Sequence, residues 1–146
     1  MDREQASHIR VTACFKLLKF WAGMRFNDAA HIKGSNLRFY DGKLSGVLVR
    51  TKTTGAGKRV RELPVFVGAD AYIRHPGWLQ VGLAVADEEV NRKREYLFLE
   101  GLLTGRVVGT SPMTYPEAVA ASSEMMEKSR AGGPVSGPST VRGLRW

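Results

Sequence analysis

Apolar residues recur at helical spacing over residues 7–24, where Ile9, Ala13, Leu17, Phe20, Trp21 and Met24 define one stripe. Cys14 and Phe15 widen that stripe, Arg10, Lys16 and Lys19 mostly fall elsewhere on the wheel, and Gly23 weakens the helix near its end. Asn27 is placed to cap a short second helix over 28–32, which Gly34 closes. The period then changes. Residues 36–40 and 44–51 are rich in β-formers and flank Asp41-Gly42, a strong two-residue hairpin signal. After the glycine-bearing loop 53–57, residues 59–67 return as a third strand, with Val60, Leu63 and Val65 as its apolar content. Pro64 there argues for a strand end or an edge. Residues 36–67 therefore read as a three-stranded antiparallel meander.

Residues 76–90 return to helical spacing, with Trp78, Leu79, Leu83 and either Val85 or Ala86 on one side and Pro76 suited to a first helical position. Residues 96–103 form a short apolar stretch whose type the pattern leaves open. Residues 114–129 predict a helix: Thr114 and Glu117 have capping-box spacing, Pro116 lies in the first turn, and Val119, Ser122, Met125 and Met126 make a soft apolar face. The expected class is α+β, mostly helical with a small three-stranded antiparallel sheet. The expected organisation is one domain over 1–129 (helices 7–33, meander 36–67, helical remainder) and a flexible Gly/Pro-rich tail over 130–146.

Composition adds little until charge is mapped. The 146 residues are 43% hydrophobic and 25% charged, ordinary for a globular chain. No apolar run approaches the roughly 20 residues of a membrane span, and the polar start Met1-Asp2-Arg3-Glu4-Gln5 does not read as a secretory signal. An intracellular address is the expectation, nuclear in a eukaryote and otherwise cytoplasmic. The single cysteine, Cys14, excludes an internal disulfide and a cysteine-based zinc cluster; on an apolar helix face it reads as core. His8, His31 and His75 lack metal-ligand spacing, so no metal and no small-molecule cofactor are expected. Trp21 and Trp78 read as core rather than as stacking platforms. The net charge of +8 is one-sided: residues 1–67 hold 13 Lys/Arg against 5 Asp/Glu, and residues 68–146 hold 9 against 9. A basic half is the footprint of a polyanion binder, with nucleic acid the common case.

Within that half, the run Trp21-Ala22-Gly23-Met24-Arg25-Phe26-Asn27-Asp28 sets an arginine between two helices, with a carboxylate three positions later. A second unit, Arg50-Thr51-Lys52-Thr53, ends the second strand beside the hairpin loop. These residues resemble the catalytic domain of the tyrosine recombinases, which include phage integrases and the recombinases of some eukaryotic mobile elements. That family carries Gly-x-Arg-x-x-Asp/Glu after a long helix. A meander follows, whose second strand ends in Thr-Lys-Thr and whose third runs into Leu-Pro. Arg25 matches the first catalytic arginine, Asp28 the acid that buttresses it, Lys52 the hairpin lysine, and Leu63-Pro64 the strand exit. The likeness covers residues 7–67 well and residues 68–141 poorly.

The chemistry explains the residue types. A phosphodiester under attack gathers negative charge on its non-bridging oxygens, which an arginine fork can hold two at a time. The arginine must be aimed, a task for a carboxylate such as Asp28. The departing 5′-oxygen needs a proton, which a lysine can give. The family's second motif is His-x-x-Arg with leucine before the arginine. Leu144-Arg145 fits it and makes Arg145 the second arginine, but Arg142 stands where the histidine belongs, so the tail is either a degenerate copy or a chance match. Arg50, Lys58, Arg59 and Arg61 are expected to contact DNA phosphates or to form a solvated strand face. The expected partner is duplex DNA, bound by a homo-oligomer if the resemblance carries that far, with no membrane.

Two other readings stand beside this one: a non-catalytic nucleic-acid-binding remnant, and a basic protein-interaction domain. Tyr40, Tyr72, Tyr96 and Tyr115 all precede the family's nucleophile position, so this chain alone is expected not to cleave DNA. Incubation with a nicked suicide duplex should therefore trap no covalent protein–DNA adduct, and a trapped adduct would refute the expectation.

Overall fold

The computed structural model describes residues 6–48, 57, 62–68, 71, 77–90 and 94–131. Helix α1 spans Ser7–Trp21, α2 spans Phe26–Ala30, and a single 3-10 turn spans Gly34–Asn36. Strands β1 (Leu37–Tyr40), β2 (Lys43–Leu48) and β3 (Leu63–Val67) follow, then α3 (Trp78–Glu89) and α4 (Tyr115–Ala131). The described part is α+β, four helices with a small antiparallel sheet in the order β1-β2-β3.

Gly23 does more than weaken α1. It adopts a left-handed φ of 64°, and the chain closes a Schellman motif around it: Met24 N–H donates to the Lys19 carbonyl at 2.9 Å and Gly23 N–H to the Phe20 carbonyl at 3.2 Å. The helix therefore stops at Trp21, three residues before the expected end. The buried face of α1 also differs from the expected stripe. Ile9, Val11, Thr12, Cys14, Phe15 and Leu18 face inward, whereas Ala13, Leu17 and Trp21 are half-buried and Phe20 is 73% exposed. The helix is apolar on most of its circumference, so periodicity could not fix its phase; tertiary partners did.

One of its partners is the stretch the sequence left open. Leu97, Phe98, Leu99, Leu102 and Leu103 are all buried, with Phe98 fully so. The segment is neither helix nor strand. It is tied by turns and two isolated bridges, Lys33↔Tyr96 and Leu99↔Pro112, and by Met113 N–H donating to the Phe98 carbonyl at 3.2 Å. The Phe98 ring meets Phe15 edge-on at 5.1 Å between centroids, a geometry that suits the aromatic quadrupole. The buried Thr12 hydroxyl lies 3.2 Å from the Leu103 carbonyl and 2.8 Å from that of His8, so a polar side chain inside the core has acceptors. Cys14 is fully buried, and burial pushes its thiol up to about 12, which fits core packing rather than nucleophilic chemistry.

The meander forms as expected where it is described. Tyr40 pairs with Lys43 across a two-residue turn in which Asp41 and Gly42 both take positive φ (51° and 69°), the type I′ pattern. Leu44 and Leu48 on β2 and Val65 and Val67 on β3 point into the core. Gly46 is required by space: a Cβ there would lie 2.3 Å from the Asn36 carbonyl oxygen. Pro64 sits on edge strand β3, where its missing N–H is tolerated. The expected extension of β2 to Thr51 and the start of β3 at Arg59 lie outside the described residues.

α3 buries Trp78, Leu79, Gly82, Val85 and Ala86 against α1, close to its expected face. Beyond its end, the Arg94 guanidinium donates to the Ala86 carbonyl at 2.9 Å and pairs with Asp87, satisfying a carbonyl left open in the last turn. α4 has the capping box anticipated at Thr114 and Glu117: Thr114 N–H donates to the Glu117 carboxylate at 2.9 Å, and Glu117 N–H lies 3.5 Å from the Thr114 hydroxyl. The second Glu117 oxygen accepts from Gly101 N–H at 2.6 Å, tying the helix start to the apolar segment. The docking face of α4, however, is Ala118 and Ala121; Val119 and Met126, expected to face inward, are about half exposed. Small alanines let α4 approach α1 closely, and the pairing is latched by His8 Nε2 to Glu124 at 3.0 Å.

If Phe98 is the keystone, Phe98→Ala should cost about 3–5 kcal/mol, a large part of the roughly 5–15 kcal/mol of a typical domain. Urea denaturation should show the midpoint collapse. A loss below about 1 kcal/mol would contradict the packing described.

Candidate phosphate-gripping site

Arg25 lies at the junction of α1 and α2, and the residues on both sides of it are anchored. Met24 before it is buried and held by the Schellman bond to Lys19. Phe26 after it packs edge-on against Phe15 at 6.4 Å and Tyr115 at 5.2 Å. The backbone of Arg25 is thereby fixed between two core contacts while its side chain is exposed. Arg25, not Asn27, is the N-cap of α2, and Asn27 sits inside the helix.

Asp28 follows at the third helical position. Its carboxylate accepts the Arg25 backbone N–H at 3.2 Å. This is one half of a capping box; arginine has no acceptor, so the reciprocal half is chemically unavailable. The hold that Asp28 has on Arg25 is thus on its main chain. The ion pairs among the described residues are His8–Glu124, Lys33–Glu95, Arg94–Asp87 and Lys128–Glu124, and none engages Arg25. Asp28 instead orients Arg25 through its main chain, because a three-residue spacing at a helix start brings the carboxylate to the cap N–H.

Beyond Asp28, a shallow cleft is lined by Asp28, His31, Ile32, Lys33, Asn36, Val47 and Leu48. It brings α2 beside the end of β2. His31 Nδ1 lies 2.9 Å from the Asn27 carbonyl, and its ring meets Tyr96 edge-on at 5.9 Å. Lys33 Nζ contacts Glu95 Oε1 at 2.7 Å; that hydrogen bond and the charge of Glu95 push the Lys33 pKa up. Lys33 is therefore committed to an intramolecular partner, and Arg25 is the cation of this junction left facing solvent.

The remaining site residues lie outside the described residues: Lys52 and Arg145, and the candidate phosphate contacts Arg50, Lys58, Arg59 and Arg61. Trp78 is buried as expected, and Trp21 is half-buried against the core. Among the described residues no cluster of three or more His, Cys, Asp or Glu could hold a metal ion, and no helix is long and apolar enough to cross a membrane. The dual role of Glu117 was only half legible, since its spacing from Thr114 is local but its bond to Gly101 is tertiary. No family model, no curated protein and no solved structure matches the chain.

Proposed function

We propose that this chain is the DNA-gripping part of a site-specific tyrosine recombinase or integrase, in which Arg25 holds a backbone phosphate of duplex DNA. The observation that carries the reading is the state of Arg25. It is exposed, its guanidinium makes no ion pair among the described residues, and its backbone is clamped by Met24, Phe26 and the Asp28 cap. A guanidinium on a fixed main chain, with no ion pair to give up, is available to two phosphate oxygens.

Lys52 supports the reading through chain length. Leu48 lines the cleft beside Asp28, and Lys52 follows it by four residues, a span of at most about 14 Å. In the complete enzyme Arg25 and Arg145 would hold the non-bridging oxygens. A tyrosine oxygen would attack phosphorus, and the 5′-oxygen would leave with a proton from Lys52, giving a 3′-phosphotyrosyl intermediate. Arg50, Lys58, Arg59 and Arg61 would add phosphate contacts that position the protein without reading bases.

Fluorescence anisotropy with a labelled duplex at two salt concentrations tests the grip. Arg25→Ala should weaken binding at low salt and reduce the slope of log affinity against log salt by about one. Arg25→Lys should keep the slope and recover only part of the affinity, since a point charge cannot form the fork. Unchanged affinity and slope in Arg25→Ala would refute the phosphate contact. Absence of duplex binding by the parent chain at modest salt would favour a basic protein-interaction domain instead.

A further inference from the structure

The inner face of the meander places Leu44, Leu48, Val65 and Val67 in the core, and its outer face carries a different chemistry. The register places Arg38, Tyr40, Lys43, Ser45, Val47, Pro64 and Phe66 on that outer face. Tyr40 is 83% exposed and Phe66 is 60% exposed. Each aromatic is associated with a cation. Tyr40 is the direct cross-strand partner of Lys43, and Arg38 shares a row with Phe66 through Ser45. Directly opposed side chains stand about 5 Å apart and the outer strands about 10 Å apart. The outer positions of the paired strands hold no acid; Asp41 lies in the turn, and Glu62 precedes β3. Arg38 and Lys43 make no ion pair among the described residues.

We infer that this outer face is a second binding surface, for single-stranded nucleic acid, with Tyr40 and Phe66 stacking on unpaired bases and Arg38 and Lys43 meeting the phosphates. Exposed aromatics interleaved with cations are the combination that binds single strands. Tyr, Phe and Arg also suit protein interfaces, so the test includes an acidic polypeptide as competitor. Duplex fits less well, because the faces of paired bases are covered within the stack and reaching one means extruding it. The aromatic and basic residues of this surface are not among those that line the cleft beyond Asp28, and their role does not depend on the Arg25 reading.

The test compares the whole chain with Tyr40→Ala/Phe66→Ala by anisotropy, using a labelled oligo(dT) and a labelled duplex. Both side chains are largely exposed, so the thermal midpoint should match the parent and report an intact fold; Tyr40→Phe/Phe66→Tyr, which keeps both rings, guards against a folding artefact. The expected result is at least a roughly tenfold loss of oligo(dT) affinity in the alanine variant, from about 1–3 kcal/mol per stacked base. Duplex affinity should be unchanged and the ring-preserving variant should bind like the parent. Arg25→Ala should show the converse pattern. The inference is overturned if the parent does not bind oligo(dT), if the alanine variant binds it as well as the parent does, if duplex binding falls in parallel, or if polyglutamate of equal charge competes as well as oligo(dT).

Discussion

The structure depends on the burial of Phe98 against α1. Phe98 sits in an irregular segment with no helix or sheet of its own to stabilise it, yet it is fully buried and meets Phe15 at 5.1 Å. Around this contact, Leu97, Leu99, Leu102 and Leu103 close the core beside Val11, Cys14 and Leu18. The segment also supplies main-chain partners: Leu97 N–H donates to the Ile32 carbonyl at 2.8 Å, and Gly101 N–H donates to Glu117. One apolar run thus fixes α1, the exit of α2 and the start of α4 together.

That arrangement is what gives Arg25 its setting. Phe15, which packs on Phe98, also packs on Phe26, so the aromatic chain Phe98–Phe15–Phe26–Tyr115 runs from the core centre to the residue beside the arginine. The Schellman turn at Gly23 and the Asp28 cap fix the main chain on either side. The main chain of Arg25 is thus ordered by the core, while its exposed side chain keeps rotamer freedom that holding a phosphate would cost.

Local signals in the sequence were the ones that translated into structure. Asp41-Gly42 made the expected tight turn, Thr114 with Glu117 made the expected box, and the three strands of the meander followed where they are described, because each depends on neighbours within a few residues. The phase of α1 was not legible, since Leu17 and Phe20 are as apolar as Val11 and Leu18, and only the tertiary partners, Phe98 and α3 among them, decide between them. The α4 face was misjudged for the same reason: Met126 is more hydrophobic than Ala121, but only the small side chain fits against α1. At the candidate site, Gly23, Arg25 and Asp28 were legible as a unit. What periodicity could not show is that α2 begins at Phe26, which makes Arg25 the N-cap and brings the Asp28 carboxylate to its main-chain N–H.

The account stands or falls on whether the α1–α2 junction meets DNA phosphate. Amide chemical-shift mapping of the isotopically labelled chain, titrated with a short duplex, addresses this directly. The largest shifts should cluster over residues 23–33 and at the end of β2 around Val47 and Leu48, reverse on adding salt, and leave α3 and the C-terminal half of α4 unmoved. Shifts concentrated on α3 or α4, or an unperturbed Arg25 amide at saturating duplex, would contradict it.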